Sequence, residues 1–518
     1  MASLLANHSC TTSTFSTLTL FGAEILSVDA NPVTNYNFDV PTGWRYSQPA
    51  VNVQDAGFCN VTVTYTHPGK NDTISIETWL PTADDWNGRL QALGGGGWVA
   101  GRFALTYGGM AGAIHDGYAT VTTDAGVPDA SFPTWAVLSP GNLDLVSLDN
   151  LGHASLNDAA AVAKDVIQRY YGRGPSYSYW NGCSNGGRQA SVLAQQYPTA
   201  YDGIIAAAPA LYWAELLMAT SWPVFYMDLT GQYPYGCELT RITTLAVAAC
   251  DELDGVRDGL IAEPEECRRV FSPKDYIGTV FNCSNTGQNM ELSSTAVSVA
   301  EAMWDGPTYS NGEFMWYGFE IGSDLSTVAS TICTEDHVCA PATQDMPFYI
   351  YQTFVLKDFS ANVTKLTHSQ FDSMYRSLKR AFSSSMAATE SNIIDFRESG
   401  GKMITYHGLA DPSITPRGTL HYYKEASRTL QNITEFYRYY RVPGLEHCWG
   451  GNGGQPEALF SQLRLWVENG TAPEASPVKI QQPANVTRDE ILCPYPKKAT
   501  FRTTCANSTS TVGCWSCE

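Results

Sequence analysis

The stretch Asn181-Gly182-Cys183-Ser184-Asn185-Gly186-Gly187 decides how the chain is put together. Before it stands an extended aromatic run, Tyr177-Ser178-Tyr179-Trp180, that ends a strand, and residues 188–196 after it have helical spacing. A serine framed as Gly-x-Ser-x-Gly between strand and helix marks a sharp turn, whose backbone only small neighbours tolerate. Such a turn lifts Ser184 Oγ clear of the strand, beside the first amides of the new helix, where negative charge is stabilised. A serine so placed needs a base, and the base needs an acid.

Candidates for both lie downstream, each just past an apolar run. Gly408-Leu409-Ala410-Asp411-Pro412 follows residues 402–408, and Glu446-His447-Cys448-Trp449-Gly450-Gly451 follows residues 436–442. Asp411 could be an ordinary turn aspartate before proline, while His407 and His153 suit structural roles better than His447 does. The order Ser184, Asp411, His447 is the chain order of the α/β-hydrolase fold. In that arrangement His447 takes the Ser184 proton as Oγ attacks an ester carbonyl, and Asp411 fixes the imidazole tautomer. The oxyanion is then met by the N–H of Asn185 and by one from Gly95, Gly96 or Gly97. Those glycines lie in a run of four after the strand 90–93, a conformationally expensive run that lets backbone approach a substrate.

Strand-like alternation at 21–28, 59–65 and 74–80 opens the chain, followed by strands at 90–93 and 118–123, a helix at 154–171 and a strand at 201–207. Strand and helix in alternation mean a parallel sheet. Between 211 and 398 the alternation stops, and an aromatic stretch with six cysteines reads as an inserted lid. The sheet resumes at 402–408, with a helix near 418–428, a strand at 436–442 and a helix at 456–468. The domain reading is therefore a core in two parts, 1–210 and 399–518, around an insertion at 211–398.

A formal net charge of -20 and a pI near 4.8 exclude nucleic acid and anionic membrane surfaces as natural partners. No run of about 18 apolar residues occurs, so no membrane span is expected. The chain carries 14 cysteines and nine Asn-x-Ser/Thr sequons, which together favour an oxidising secretory route. Met1-Ala2-Ser3-Leu4-Leu5-Ala6 does not have the form of a signal peptide, so the expectation is a secreted protein whose signal has been trimmed. Cys183 precedes Ser184 and Cys448 follows His447, which predicts a Cys183–Cys448 bond if serine and histidine meet.

A second constellation is Cys250-Asp251-Glu252-Leu253-Asp254-Gly255-Val256-Arg257-Asp258-Gly259-Leu260. Its three aspartates can converge on a hard cation, with backbone carbonyls filling the gaps; a solvated acidic turn is the alternative. Cys250 and Cys267 bracket it and are expected to bond. Cys10, Cys59, Cys237, Cys283, Cys333, Cys339, Cys493 and Cys505 are also expected in disulfides, with the pairing of Cys514 and Cys517 open.

Gly-Cys-Ser-x-Gly-Gly-Arg (182–188), His-Gly-x-x-Asp-Pro (407–412) and Gly-x-x-His-Cys (444–448) resemble the fungal tannase/feruloyl esterase family over nearly the whole chain. Cys-Glu-Leu-Thr from Cys237 and the glycine run 94–97 resemble its tannase branch. Two positions depart from the pattern: Trp449 stands where the family usually has glycine, and Gly95 where the feruloyl esterase branch has asparagine. Both are expected to flank the substrate pocket. The resemblance implies an α/β-hydrolase domain with a lid, secretion, and hydrolysis of phenolic-acid esters such as gallates or ferulates. It also implies a structural Ca2+ in the lid, held by Asp251, Asp254 and Asp258 and the carbonyls of Val256 and Leu260. A lactonase or acyltransferase using the same three residues is the other hydrolase-class reading.

Overall fold

The apolar runs assemble into one nine-stranded sheet in a computed structural model, which describes residues 9–334, 338–342, 346–482, 486–502 and 512–518. Its strands are β1 (Glu24–Val40), β2 (Val51–Thr66), β3 (Ile74–Pro81), β4 (Arg89–Leu93), β5 (Ala119–Thr123), β6 (Tyr177–Cys183), β7 (Gly203–Ala207), β8 (Lys402–Gly408) and β9 (Tyr437–Val442). Their order across the sheet is β1-β2-β3-β5-β4-β6-β7-β8-β9. The first three pair antiparallel and β3 meets β5 antiparallel; from β5 to β9 every pairing is parallel. All of β7 and nearly all of β8 are buried, as expected of parallel strands covered on both faces.

Helices cover those faces. On one side α2 (Ser155–Tyr171), α3 (Asn185–Gln196) and α4 (Pro416–Thr429) pack Val166, Val192 and Tyr422 against Trp180, Ile204 and Met403. On the other, α5 (Leu459–Asn469) packs Phe460, Leu463 and Trp466 against Tyr179, Ile205 and Ile404. Side chains alternate between the two layers along each strand, so every central strand feeds both cores. Each fully buried large apolar side chain contributes about 1.5–3 kcal/mol. α1 (Ala104–His115) closes the end of the sheet near β1 to β4, through Met110, Ala111 and Ile114.

The chain leaves the sheet after β7 and re-enters at β8. The long insertion between them carries helices Trp213–Thr230, Gly236–Cys250, Ser294–Asp305 and His368–Phe382, and packs around Trp222, Phe225, Phe371 and Phe382. That cluster also takes in Trp98, Phe132 and Trp135 from loops of the sheet domain, so insertion and sheet share one apolar interior. After α5 the tail forms an antiparallel hairpin, Ser476–Gln482 with Val486–Leu492, where the sequence had suggested no strands.

Disulfides join Cys10–Cys59, Cys183–Cys448, Cys237–Cys283, Cys250–Cys267, Cys333–Cys339 and Cys493–Cys517. Cys514 is also disulfide-bonded. Cys505 lies outside the described residues, as do the sequons at Asn7, Asn485 and Asn507.

Candidate active site

At the end of β6 the backbone turns through Ser184 with φ 63° and ψ -123°, and α3 begins at the next residue. This conformation is unfavourable for a residue with a Cβ, and the surroundings enforce it. Ser184 N–H donates to Ala207 O at 3.1 Å, and Ser184 O accepts from Arg188 N and Ala210 N at 2.9 and 3.1 Å. The flanking glycines are required sterically: a Cβ on Gly182 would sit 2.5 Å from Gly186 O, and one on Gly186 2.9 Å from Gly95 O. The Ser184 hydroxyl makes no hydrogen bond to a described residue, which leaves it available.

Asp411 follows β8 and is fully buried. Its Oδ1 accepts from the backbone N–H groups of Ser413 and Ile414 at 2.8 and 2.9 Å. Its Oδ2 accepts from His447 Nδ1 at 2.7 Å and from His407 Nε2 at 3.1 Å. Thr419 Oγ1 lies 2.8 Å from His407 Nδ1, while His407 Nε2 faces two acceptors, Asp411 Oδ2 and Ile414 O at 3.2 Å, so Nε2 carries a proton. Burial alone would raise the Asp411 carboxyl, but its two imidazole partners outweigh it and hold the group well below the usual carboxylate range. For His447, burial favours the neutral ring, yet the Asp411 charge and hydrogen bond prevail and raise its pKa above 6.5. The His447 side chain remains 22 % exposed, so its other nitrogen is reachable.

The loop that carries His447 abuts the end of β8 backbone to backbone. Ala410 N–H donates to Leu445 O at 3.0 Å, and a Cβ on Gly408 would meet Leu445 O at 2.1 Å. Across the site, Cys183 and Cys448 are bonded with Cα atoms 6.0 Å apart, which brings the chain around Ser184 to the chain around His447. Trp449 lines a cavity with Gly450, Gly451 and Gln455. It lies over Gly43 and stacks on Tyr46, with ring centroids 6.4 Å apart, among the α5-side residues and away from the insertion's aromatics.

The glycine loop after β4 approaches α3 closely: Gly186 N–H donates to Gly95 O at 3.0 Å. One of the three candidate glycine donors is corrected here. Gly95 N–H points at Gln189 Oε1, 2.9 Å away in a fully buried bond, and is not free to meet a substrate. Gly96 and Gly97 remain as partners for the Asn185 N–H, which as the first amide of α3 has no acceptor within the helix. Beyond them Trp98 is buried among Phe132, Trp213, Phe354 and Phe382. Arg188 is fully buried and has no ion-pair partner among the described residues; burial pulls its guanidinium down to about 9, and it donates to Asn185 Oδ1, Gly152 O and Leu151 O. His407, Gln189 and Arg188 were missed as parts of the site. His407 and Arg188 stood inside the motifs 407–412 and 182–188 without a role being assigned to them, and nothing in the sequence pointed to Gln189.

A sequence model of the family described as tannase and feruloyl esterase matches residues 59–514. The chain belongs to that family. A probable feruloyl esterase from Arthroderma benhamiae is 33% identical over 506 residues, covering 95% of this chain and 91% of the relative. A tannase from Aspergillus oryzae is 26% identical, covering 96% and 92%. Among solved structures, a tannin acyl hydrolase from Aspergillus niger superposes with a TM-score of 0.84 at 26% identity, covering 98% of this chain and 95% of that one. Feruloyl esterase B from Aspergillus oryzae shares the fold, with a TM-score of 0.77 at 22% identity. As a member of this family the chain is a carboxylic ester hydrolase with an α/β-hydrolase fold.

The family also directs attention to the acidic loop. Asp251 Oδ1 accepts from the N–H groups of Asp258 and Gly259 at 2.9 and 2.8 Å. Asp254 and Asp258 each cap a turn two residues on, at Val256 and Leu260. Among the described residues no three Asp, Glu, His or Cys side chains form a ready metal cage. Yet the carboxylates crowd there even with Arg488 paired to Glu490 at 3.0 Å: burial, then the nearby Asp254 carboxyl, push Asp258 up to about 7, and burial with Asp258 pushes Glu490 up to about 8. Crowded, desolvated carboxylates of this kind suit a hard dication.

Proposed function

We propose that the chain is a secreted serine esterase that cleaves esters of phenolic acids, gallate- or ferulate-type, through an acyl-enzyme on Ser184. The observation that carries the reading is Asp411 Oδ2 holding His447 Nδ1 at 2.7 Å, with the Cys183–Cys448 bridge tying the residue after that histidine to the residue before a serine in a strained strand-to-helix turn. His447 Nε2 takes the Ser184 proton as Oγ attacks the ester carbonyl, and returns it to the departing alcohol. Water, deprotonated by the same nitrogen, then releases the acid. The backbone N–H of Asn185 with that of Gly96 or Gly97 meets the oxyanion.

The aromatic neighbourhood of Trp98, at the end of the oxyanion loop, supports a flat acyl group, and relatives bearing the names tannase and feruloyl esterase support a phenolic one. A site that hydrogen-bonds ring hydroxyls rejects analogues lacking them strongly. Methyl gallate or methyl ferulate should therefore exceed methyl benzoate by at least about 100-fold in kcat/KM. Equal efficiency on methyl benzoate and methyl gallate would make this a general esterase. Secretion is supported by the disulfides and by exposed sequon asparagines at Asn71, Asn282, Asn362, Asn432 and Asn469. The Asn60 amide is already bonded to Glu77. No helix among the described residues is long and apolar enough to cross a membrane.

The acidic loop, on this reading, takes one Ca2+ through Asp251, Asp254 and Asp258 and the carbonyls of Val256 and Leu260. The ion neutralises the crowded carboxylates and ties the loop to the Cys250–Cys267 bridge. Leu260 packs over Gly444 at the root of the loop that carries His447, so the acidic loop's order reaches the site. Chelation should lower the melting temperature by several degrees, and Ca2+ but not Mg2+ should restore it, because the larger ion accepts irregular oxygen sets. Calcium-free purified protein whose melting is indifferent to chelator would remove the ion from the reading.

A further inference from the structure

We infer that Gln189 is a positioning residue for the oxyanion site, its carboxamide clamping both limbs of the glycine loop onto the start of α3. The inference rests on the serine-esterase reading and concerns how its two oxyanion donors are kept in register. They come from separate elements, one from the first turn of α3 and one from the loop after β4. Nothing covalent joins these elements near the site.

Gln189 stands one turn into α3 and is fully buried. Its Oε1 accepts from Gly95 N–H at 2.9 Å and its Nε2 donates to Ala100 O at 3.0 Å. Only this orientation of the amide gives both bonds a donor and an acceptor. One side chain thus closes the loop at both ends, leaving residues 96–99 as its tip. Asn185 adds a third tie, its Nδ2 donating to Val99 O at 3.0 Å, with Arg188 Nε holding the Asn185 oxygen at 2.7 Å. The chain's own backbone supplies the fourth, from Gly186 N–H to Gly95 O.

Glycine makes such a clamp necessary. Four consecutive residues without side chains have no packing of their own to set the direction of their amides. Donors misplaced by about 1 Å lose on the order of 100-fold in rate. A short apolar loop could not be held by packing here either, because Gly94 already touches Gly186: a Cβ on Gly94 would lie 2.6 Å from Gly186 Cα. Hydrogen bonds fix the loop instead: Thr106 of α1 donates to Gly94 O at 3.0 Å, and α3 supplies the ties at Gly95, Val99 and Ala100. The helix that carries Asn185 N–H also carries the residue that aims the other donor.

The test uses the full chain with Gln189→Met, which keeps length and loses both bonds. Gln189→Glu is the second variant; protonated in so buried a place, it can still accept from Gly95 and donate to Ala100. Gln195→Leu is the control, because Gln195 lies on the same helix but bonds Tyr422, away from the loop. Phenylboronic acid reports the tetrahedral state and the free phenolic acid reports ground-state binding. Gln189→Met should lower kcat by about 30- to 100-fold and weaken phenylboronic acid by a similar factor, with KM and acid binding within threefold. Gln189→Glu should recover most of that loss, and Gln195→Leu should leave kcat near the parent value. Unchanged kcat and boronate affinity in folded Gln189→Met overturn the inference. So does a fall in kcat, boronate affinity and acid binding together, which would mark a structural role. If Gln189→Met does not fold, Gln189→Glu decides: it must lose less kcat than it would with one bond broken, about tenfold, or the clamp fails. A parent that fluorophosphonate does not label at Ser184 refutes the serine-esterase reading itself, a separate outcome.

Discussion

Replacing Ser184 by alanine is expected to lower ester turnover by about 10⁶-fold, the scale on which a hydrolase loses its nucleophile. The melting temperature should hardly move. Alanine keeps the Cβ, so the backbone at φ 63° is no more and no less strained, and the lost hydroxyl had no hydrogen-bond partner to orphan. Ser184→Gly separates the two consequences further. It also abolishes turnover, but it relieves a conformation that costs a residue with a Cβ about 1–3 kcal/mol, so part of that strain should return as stability. Kinetics on the best ester, with thermal melts of parent and both variants, checks both statements. Residual activity within tenfold of the parent would remove Ser184 from the mechanism, and a glycine variant less stable than the alanine one would remove the strain argument.

How much of this was legible follows from where each element gets its order. β8 and the elbow could be read because a strand buried on both faces must be apolar throughout, and a nucleophile turn must be flanked by glycine. β1 was read as ending near residue 28, yet it continues through Pro32 to Val40, with register shifts near Val33 and Tyr36. Proline is tolerated there because β1 is the sheet's edge, a position that no local pattern announces. α1 was not foreseen at all. Its sequence, Ala-Leu-Thr-Tyr-Gly-Gly-Met-Ala-Gly-Ala-Ile-His, has three glycines and no amphipathic stripe. The fold explains both: a Cβ on Gly108 would strike the Trp44 ring at 2.6 Å, and one on Gly112 would strike Arg45. Helix propensity is overridden where neighbours must come that close.

The site divides in the same way. Ser184, Asp411 and His447 could be proposed because chemistry fixes their residue types and the fold fixes their order. The cysteines beside them followed from proximity, and the Cys183–Cys448 bridge spans 265 residues that no periodicity connects. Gly95 was misjudged as a donor because its N–H is taken by Gln189, 94 residues away. A hydrogen bond between distant side chain and backbone leaves no trace in spacing. The second imidazole on Asp411 was visible as His407 in sequence, but its function was not, since a buried histidine four residues from an acid is most often structural.

Asp411→Asn is expected to lower turnover by about 10⁴-fold, because an amide that donates to His447 Nδ1 selects the wrong tautomer for accepting the Ser184 proton. The pH dependence should change along with the rate. His447 must be neutral to act as base, so activity is lost as pH falls through its pKa. In the parent that pKa lies above about 6.5, since Asp411 outweighs the effect of burial. Without the carboxylate, burial is unopposed and favours the neutral ring, so the acid limb of kcat/KM should move to lower pH. Stability should change in a defined window too. The depressed Asp411 carboxyl stabilises the fold above the unfolded carboxylate pKa of about 3.9, and that contribution fades as pH falls through its folded value. The raised His447 contributes fully below about 6.5 and loses its contribution as pH rises through its folded pKa. The pair therefore stabilises most between about pH 4 and pH 6.5, and the difference in melting temperature between parent and Asp411→Asn should be largest there. His407, still within reach of the amide, cannot replace the charge. A variant whose acid limb stays in place, or whose melting deficit is the same at pH 5 and pH 9, would mean that another group sets the His447 pKa and that Asp411 has been given the wrong role.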